Sequence, residues 1–221
     1  MVAAGSIATA TTIRRGEPPA IWAALGYFTI MEGLQAVGYS VIDACGSAPN
    51  TWITALSYLH IAFQPLFING FAMAIAPSPV APATRRRVWV LASAASALLL
   101  FRLVPLDALG TCRPGDVLCG PAWCLVSGNW HIAWEVPLND LPRTLGIPVQ
   151  FPAYLAAVFL LPLTYGSWRF VVFHAVFGPI LALALTNDPN EMPAVWCLFS
   201  IGILIAGLSP ELRRKAFAAG A

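Results

Sequence analysis

The sequence predicts an all-α, polytopic membrane protein with six transmembrane helices and a long outer loop carrying an interfacial helix. Three observations predict it. Of 221 residues, 58% are hydrophobic and only 10% charged, against about 25% charged in soluble domains. Mean hydropathy is +0.74. Six apolar segments approach the ~20 residues that cross a ~30 Å hydrocarbon core, and the basic residues fall on alternate sides of them.

The spans are read at 19–42, 51–76, 88–106, 149–165, 168–185 and 193–208. Residues 1–18 precede them as a cytoplasmic segment, 19–208 form the membrane domain, and 209–221 are a cytoplasmic tail. The first eighteen residues lack the basic start and apolar core of a signal peptide, and no lipidation motif is present, so the first span is expected to direct insertion. Pro152, Pro162 and Pro179 are expected to start or kink the short later spans, and Gly166-Ser167 to turn the fourth span tightly into the fifth.

Arg14, Arg15, Arg85–Arg87, Arg169, Arg213, Arg214 and Lys215 share one side. Arg113 and Arg143 lie on the other, among Asp107, Asp116, Asp140, Asp188 and Glu191. The positive-inside rule places both termini in the cytoplasm, in a bacterial inner (plasma) membrane. Trp22, Trp89 and Trp168 at inner ends, with Trp52 and Trp196 at outer ends, fit interfacial belts. No basic patch with interleaved aromatics appears, which excludes nucleic acid as a partner. The lipid bilayer and a lipid or small amphiphile are the expected partners.

All five cysteines fall at or near the outer side. Cys45, Cys112, Cys119 and Cys124 are disulfide candidates, paired within the loop or from the loop to Cys45, and the odd count leaves a thiol. The spacing of Cys112, Cys119 and Cys124 matches no standard zinc motif.

The chemistry-bearing residues form two stripes at helical spacing: Glu32, Gln35, Tyr39 and Asp43 in the first span, and Ser57, His60 and Gln64 in the second. An ionisable residue within lipid marks a functional site by default. At 1.5 Å per residue, Glu32 lies roughly 18–20 Å from the inner face and His60 roughly 13 Å from the outer, close enough to meet. In loop 107–148, His131 and Glu135 are four residues apart, as are Trp130 and Trp134. One helical turn would put each pair on a shared face, either as an interfacial anchor or as a lid over a pocket.

Three chemical readings follow. In the first, Glu32, His60 and His131 ligate zinc or another divalent metal, and Glu135 and Glu32 are the catalytic carboxylates, Glu135 acting as base. Gln35, Tyr39, Gln64 and Arg102 then bind substrate, with Arg102 receiving a lipid headgroup or oxyanion, and the reaction is hydrolysis of a lipid or amphiphile. In the second, Glu32 and His60 are a proton-responsive pair in a transport or ligand-binding cavity. In the third, two of His60, His131 and His174 hold haem or a quinone. A structural role as an assembly subunit, with the polar residues as interhelical contacts, is the plain alternative.

The strings Ser57-Tyr58-Leu59-His60-Ile61-Ala62-Phe63-Gln64-Pro65, Gly128-Asn129-Trp130-His131-Ile132-Ala133-Trp134-Glu135, Tyr165-Gly166-Ser167-Trp168-Arg169 and Pro193-Ala194-Val195-Trp196-Cys197 resemble an uncharacterised family of bacterial multi-pass membrane proteins, over most of 19–208. The resemblance implies the architecture but no activity. Members often begin Met-Cys-Phe-Ser, where this chain has Met1-Val2-Ala3-Ala4. A looser likeness, of Glu32, Ser57 and His60, is to membrane hydrolases of the alkaline-ceramidase and progestin-receptor type. Here the Ser-to-His spacing is one residue shorter, and His174 stands without a second histidine.

Overall fold

Proline and small polar residues set the helix starts in the computed structural model, which describes residues 1–198 and 201–213. Helix α1 spans Val2–Arg14, α2 Pro19–Gly38, α3 Ala48–Ala74 and α4 Pro82–Phe101. Pro19, Pro49 and Pro82 sit in first turns, where a missing N–H costs nothing. Ser47 caps α3 by accepting from the Asn50 N–H. Pro65 lies inside α3, and Asn69 Nδ2 donates to the Pro65 carbonyl.

The later helices are irregular. Helix α5 (Pro152–Tyr165) tightens into a 3₁₀ turn over Leu161–Tyr165, and α6 (Trp168–Leu185) kinks at Gly178-Pro179. Helix α7 (Met192–Leu198) and α8 (Ile201–Leu208) lie on either side of 199–200. Pro152, Pro162 and Pro179 thus start or distort helices, and Gly166 turns the chain in the left-handed region at φ 80°.

Two of the six expected spans, Pro19–Gly38 and Trp168–Leu185, are both long and apolar enough to cross a membrane. Helix α3 is longer but carries Asn50, Thr54, His60, Gln64 and Asn69, and α4 opens on Arg85–Arg87. Helix α5 is too short. The sixth expected span, 193–208, lies partly outside the described residues.

Residues 2–14 are no loose segment. Helix α1 runs antiparallel to α2, with Gly5 against Thr29 and Thr9 against Gly26. A Cβ at Gly5 would stand 2.2 Å from Thr29 Oγ1, so glycine permits this approach. The basic ends gather: Arg15 donates to the Leu208 carbonyl, and Arg213 pairs with Glu17 at 2.5 Å.

The expected interfacial helix is a β-hairpin. Strand β1 (Cys124–Ser127) pairs antiparallel with β2 (Ile132–Glu135), matching Cys124 to Glu135 and Ser127 to Ile132. Gly128-Asn129 supplies the turn, and the Gly128 N–H donates to the His131 carbonyl at 2.7 Å. Trp134 is buried in the core while Trp130 stays half exposed, so only one of the two reaches the surface. Extended backbone puts His131 and Glu135 about 13 Å apart instead of one helical turn.

Disulfides Cys45–Cys124 and Cys112–Cys119 hold this loop, and Cys197 is a free, buried thiol. Both kinds of pairing left open by the sequence therefore occur. Polar residues share the interior with the apolar core, and large apolar residues also stand outside. Glu32, Gln35, Asn50, Ser57, His60 and Gln64 are buried, while Ile7, Ile30, Trp52, Val90, Leu160 and Leu183 are exposed.

Candidate functional site

Helical spacing puts Glu32, Gln35 and Tyr39 along one edge of α2, and the hairpin drops His131 onto its C-terminal end. Gln35 Nε2 donates to the Ala194 carbonyl at 3.1 Å, which leaves Gln35 Oε1 as an acceptor. His131 Nε2 lies 3.3 Å from that oxygen and so carries the proton. Nδ1 then accepts from the Tyr39 hydroxyl at 2.5 Å. Both ring nitrogens are thereby engaged within the protein. Burial pulls the His131 pKa down, opposed by the charge of Glu191.

Glu191, in the connection between α6 and α7, fixes the hairpin turn. Its carboxylate accepts from the backbone N–H groups of Asn129 (3.0 Å), Trp130 (2.9 Å) and His131 (2.5 Å), and from the Thr186 hydroxyl. Burial alone would raise its pKa. The hydrogen bonds from Thr186 and from the Trp130, His131 and Asn129 amides outweigh that and hold it below the usual carboxylate range. Asn50 makes the matching clamp at β1, bonding the N–H and carbonyl of Leu125 and the carbonyl of Val41.

His60 sits elsewhere. Its ring stacks on Tyr27 at 3.8 Å, Nε2 donates to the Tyr27 carbonyl at 2.7 Å, and the Tyr27 hydroxyl donates to the His60 carbonyl. His60 Nδ1, Ser57 Oγ and Glu32 Oε1 are buried without a hydrogen-bond partner. Glu32, His60 and His131 do not converge: among the described residues no group of three His, Cys, Asp or Glu is placed to hold a metal.

The remaining candidates also separate. Asp43 leaves the α2 stripe, because the helix ends at Gly38; it lies in a turn at φ 61° and accepts from the Ser127 N–H and hydroxyl. Those bonds lower its pKa. Arg102 is buried over the Phe151 ring and donates to the Asn139 and Gln150 carbonyls, so its guanidinium anchors the loop. Glu135 faces an open groove on loop 107–148, away from the stripes. His174 packs among Phe159, Phe170 and Trp196 with Nε2 unpartnered.

Gln64 belongs to a different setting. It accepts from the Tyr154 hydroxyl at 2.5 Å and donates to Cys197 Sγ at 3.4 Å. Above this trio opens a cavity of about 200 Å³, walled by Ile61, Phe151, Met192 and Trp196 and roofed by Val117 and Leu118. The roof segment ends at the Cys112–Cys119 disulfide, and Asn190 grips the N–H and carbonyl of Cys119.

Sequence reasoning missed Tyr27, Tyr154 and the anchoring role of Glu191. Tyr154 follows Pro152 in a recognisable helix start, but its pairing with Gln64 spans ninety residues. No curated protein and no solved structure matches the chain. The sequence profile of DUF5765, a family of unknown function, matches residues 1–217, and the chain belongs to that family.

Proposed function

We propose that this is an integral membrane protein of the bacterial plasma membrane, with the Arg14–Glu17 turn and the C-terminus on the cytoplasmic side and α1 folded back along α2, that binds the apolar part of a small amphiphile beneath its disulfide-held outer loop. The observation that carries the reading is the cavity between α3, α5 and α7. Its walls are apolar, its volume of about 200 Å³ exceeds the 150 Å³ cavity that admits benzene, and Gln64, Tyr154 and Cys197 satisfy one another at its base. Membrane embedding is supported by the apolar residues outside and the polar ones within. Exposed Ile30, Val90, Leu160 and Leu183 would be costly in water, and buried Glu32, His60 and Gln64 are costly in lipid unless they face the bundle interior. The gathering of Arg15 and Arg213 at one end supports the orientation.

Photolabelling with a diazirine-bearing octanol, followed by peptide mass spectrometry, tests this. Adducts on Leu118, Phe151, Tyr154 or Met192 that disappear in Ile61→Trp are the expected result. Adducts confined to outward residues such as Leu160 and Leu183, unchanged by Ile61→Trp, would refute it.

A further inference from the structure

The outer loop carries a second concavity, distinct from the cavity above and formed differently. It is an open groove of about 600 Å³, within the size range of small-molecule sites. Pro114, Pro121, Pro137 and Leu138 give it rigid apolar walls, Thr111 offers a hydroxyl, and Glu135 is its ionisable group. The Cys112–Cys119 disulfide and the backbone bridges Thr111 to Asn139 and Cys119 to Val136 hold the walls in place.

Glu135 is unspent, as is Asp107, which lies outside the groove lining. Asp43 is engaged by Ser127, Asp116 and Asp140 by Arg143, Asp188 by the Asn190 N–H, and Glu191 by the hairpin turn. The Glu135 side chain makes no hydrogen bond or ion pair among the described residues. Gly120 permits its placement: a Cβ there would stand 2.3 Å from Glu135 Cβ and 2.9 Å from Oε2. A fixed, half-buried carboxylate without a cation, at the mouth of a preformed groove, is complementary to a charged donor.

We propose that this groove binds a small primary ammonium ligand, its charge on Glu135 and its carbon stem along Pro121, Pro137 and Leu138. One carboxylate is too few ligands for a calcium or zinc site. It suffices for an ammonium, which brings three donors and needs a single charge partner. The groove lining has no aromatic ring to cage a quaternary amine.

Saturation-transfer NMR of the oxidised, detergent-solubilised full chain tests the proposal, with 1,5-diaminopentane as probe and 1,5-pentanediol as its neutral counterpart. The expected result is saturable binding of the diamine and none of the diol. Glu135→Gln should weaken diamine binding at least about tenfold, the loss of one charge-assisted contact, and Glu135→Asp should retain part of it. Asp107→Asn, an exposed acid of the same loop that does not line the groove, should leave it unchanged. No saturable diamine binding, or equal binding by wild type and a folded Glu135→Gln, would overturn the proposal.

Discussion

Replacing Glu191 by Ala should release the hairpin turn while leaving the helices assembled. The substitution removes the acceptor for three backbone N–H groups, of Asn129, Trp130 and His131. A buried donor left unpaired costs about 1–3 kcal/mol, so three set a ceiling of about 3–9 kcal/mol. The turn lies at the protein surface beside half-exposed Trp130, so it can open to water instead of bearing the whole cost. That limits the local loss to about 3 kcal/mol, since folding as a whole is worth only 5–15 kcal/mol. Hydrogen exchange on peptides covering 128–134 reads this directly: about 3 kcal/mol corresponds to exchange faster by roughly a hundredfold or more. Peptides from the middle of α3 should not change. Glu191→Gln keeps an acceptor but loses the charge, and should fall between the two. Unchanged exchange at 129–131 in Glu191→Ala would refute the argument, because the carboxylate would then not be what holds the turn.

Other outcomes follow from the same geometry. Acid should loosen the hairpin in two stages, both with stability rising with pH. His131 has a depressed pKa, so its contribution is complete above about 6.5 and is lost as pH falls from there through its folded value. Glu191, also depressed, contributes above about 4.3 and is lost as pH falls through its own folded value. Exchange at 128–134 measured from pH 8 to 2 checks this, and His131→Ala should abolish the upper stage. Breaking the Cys45–Cys124 bridge, with a sequence separation of 79, should cost about 4.5 kcal/mol by loop entropy, against about 2.4 kcal/mol for Cys112–Cys119, separated by 7. Thermal melts of Cys45→Ala and Cys112→Ala should rank accordingly. Gly178→Ala would bring a methyl within 2.3 Å of Trp196 Nε1 and should destabilise by about 1–3 kcal/mol in the same assay.

The helical framework was legible because its signals are local. Prolines at helix starts, apolar runs and the Gly166-Ser167 turn are each read within a few residues. The stripe containing Glu32, Gln35, Ser57, His60 and Gln64 was legible as a pattern, and its members are buried. The hairpin was not, since a four-residue interval puts residues on one face of a helix and also on one face of a strand. Gly128-Asn129 and the β-branched Val126, Ile132 and Val136 were the signals for the strand reading. Six spans were expected and two are long and apolar enough, because α3 mixes its apolar surface with a polar interior that lowers its hydropathy. The partners of the stripe were invisible for another reason. Tyr27 binds His60 across thirty-three residues and Glu191 reaches His131 across sixty, distances at which only the fold decides.

The two ends of the hairpin are held by different kinds of bond. At Cys124 the attachment is covalent and indifferent to pH, and at the 128–131 turn it is a carboxylate on amides. The two ends therefore answer to different agents, a reductant at Cys124 and acid at the 128–131 turn. Acid that loosened the turn would free His131 from Gln35 and Tyr39 while the bridge to Cys45 still tied Cys124.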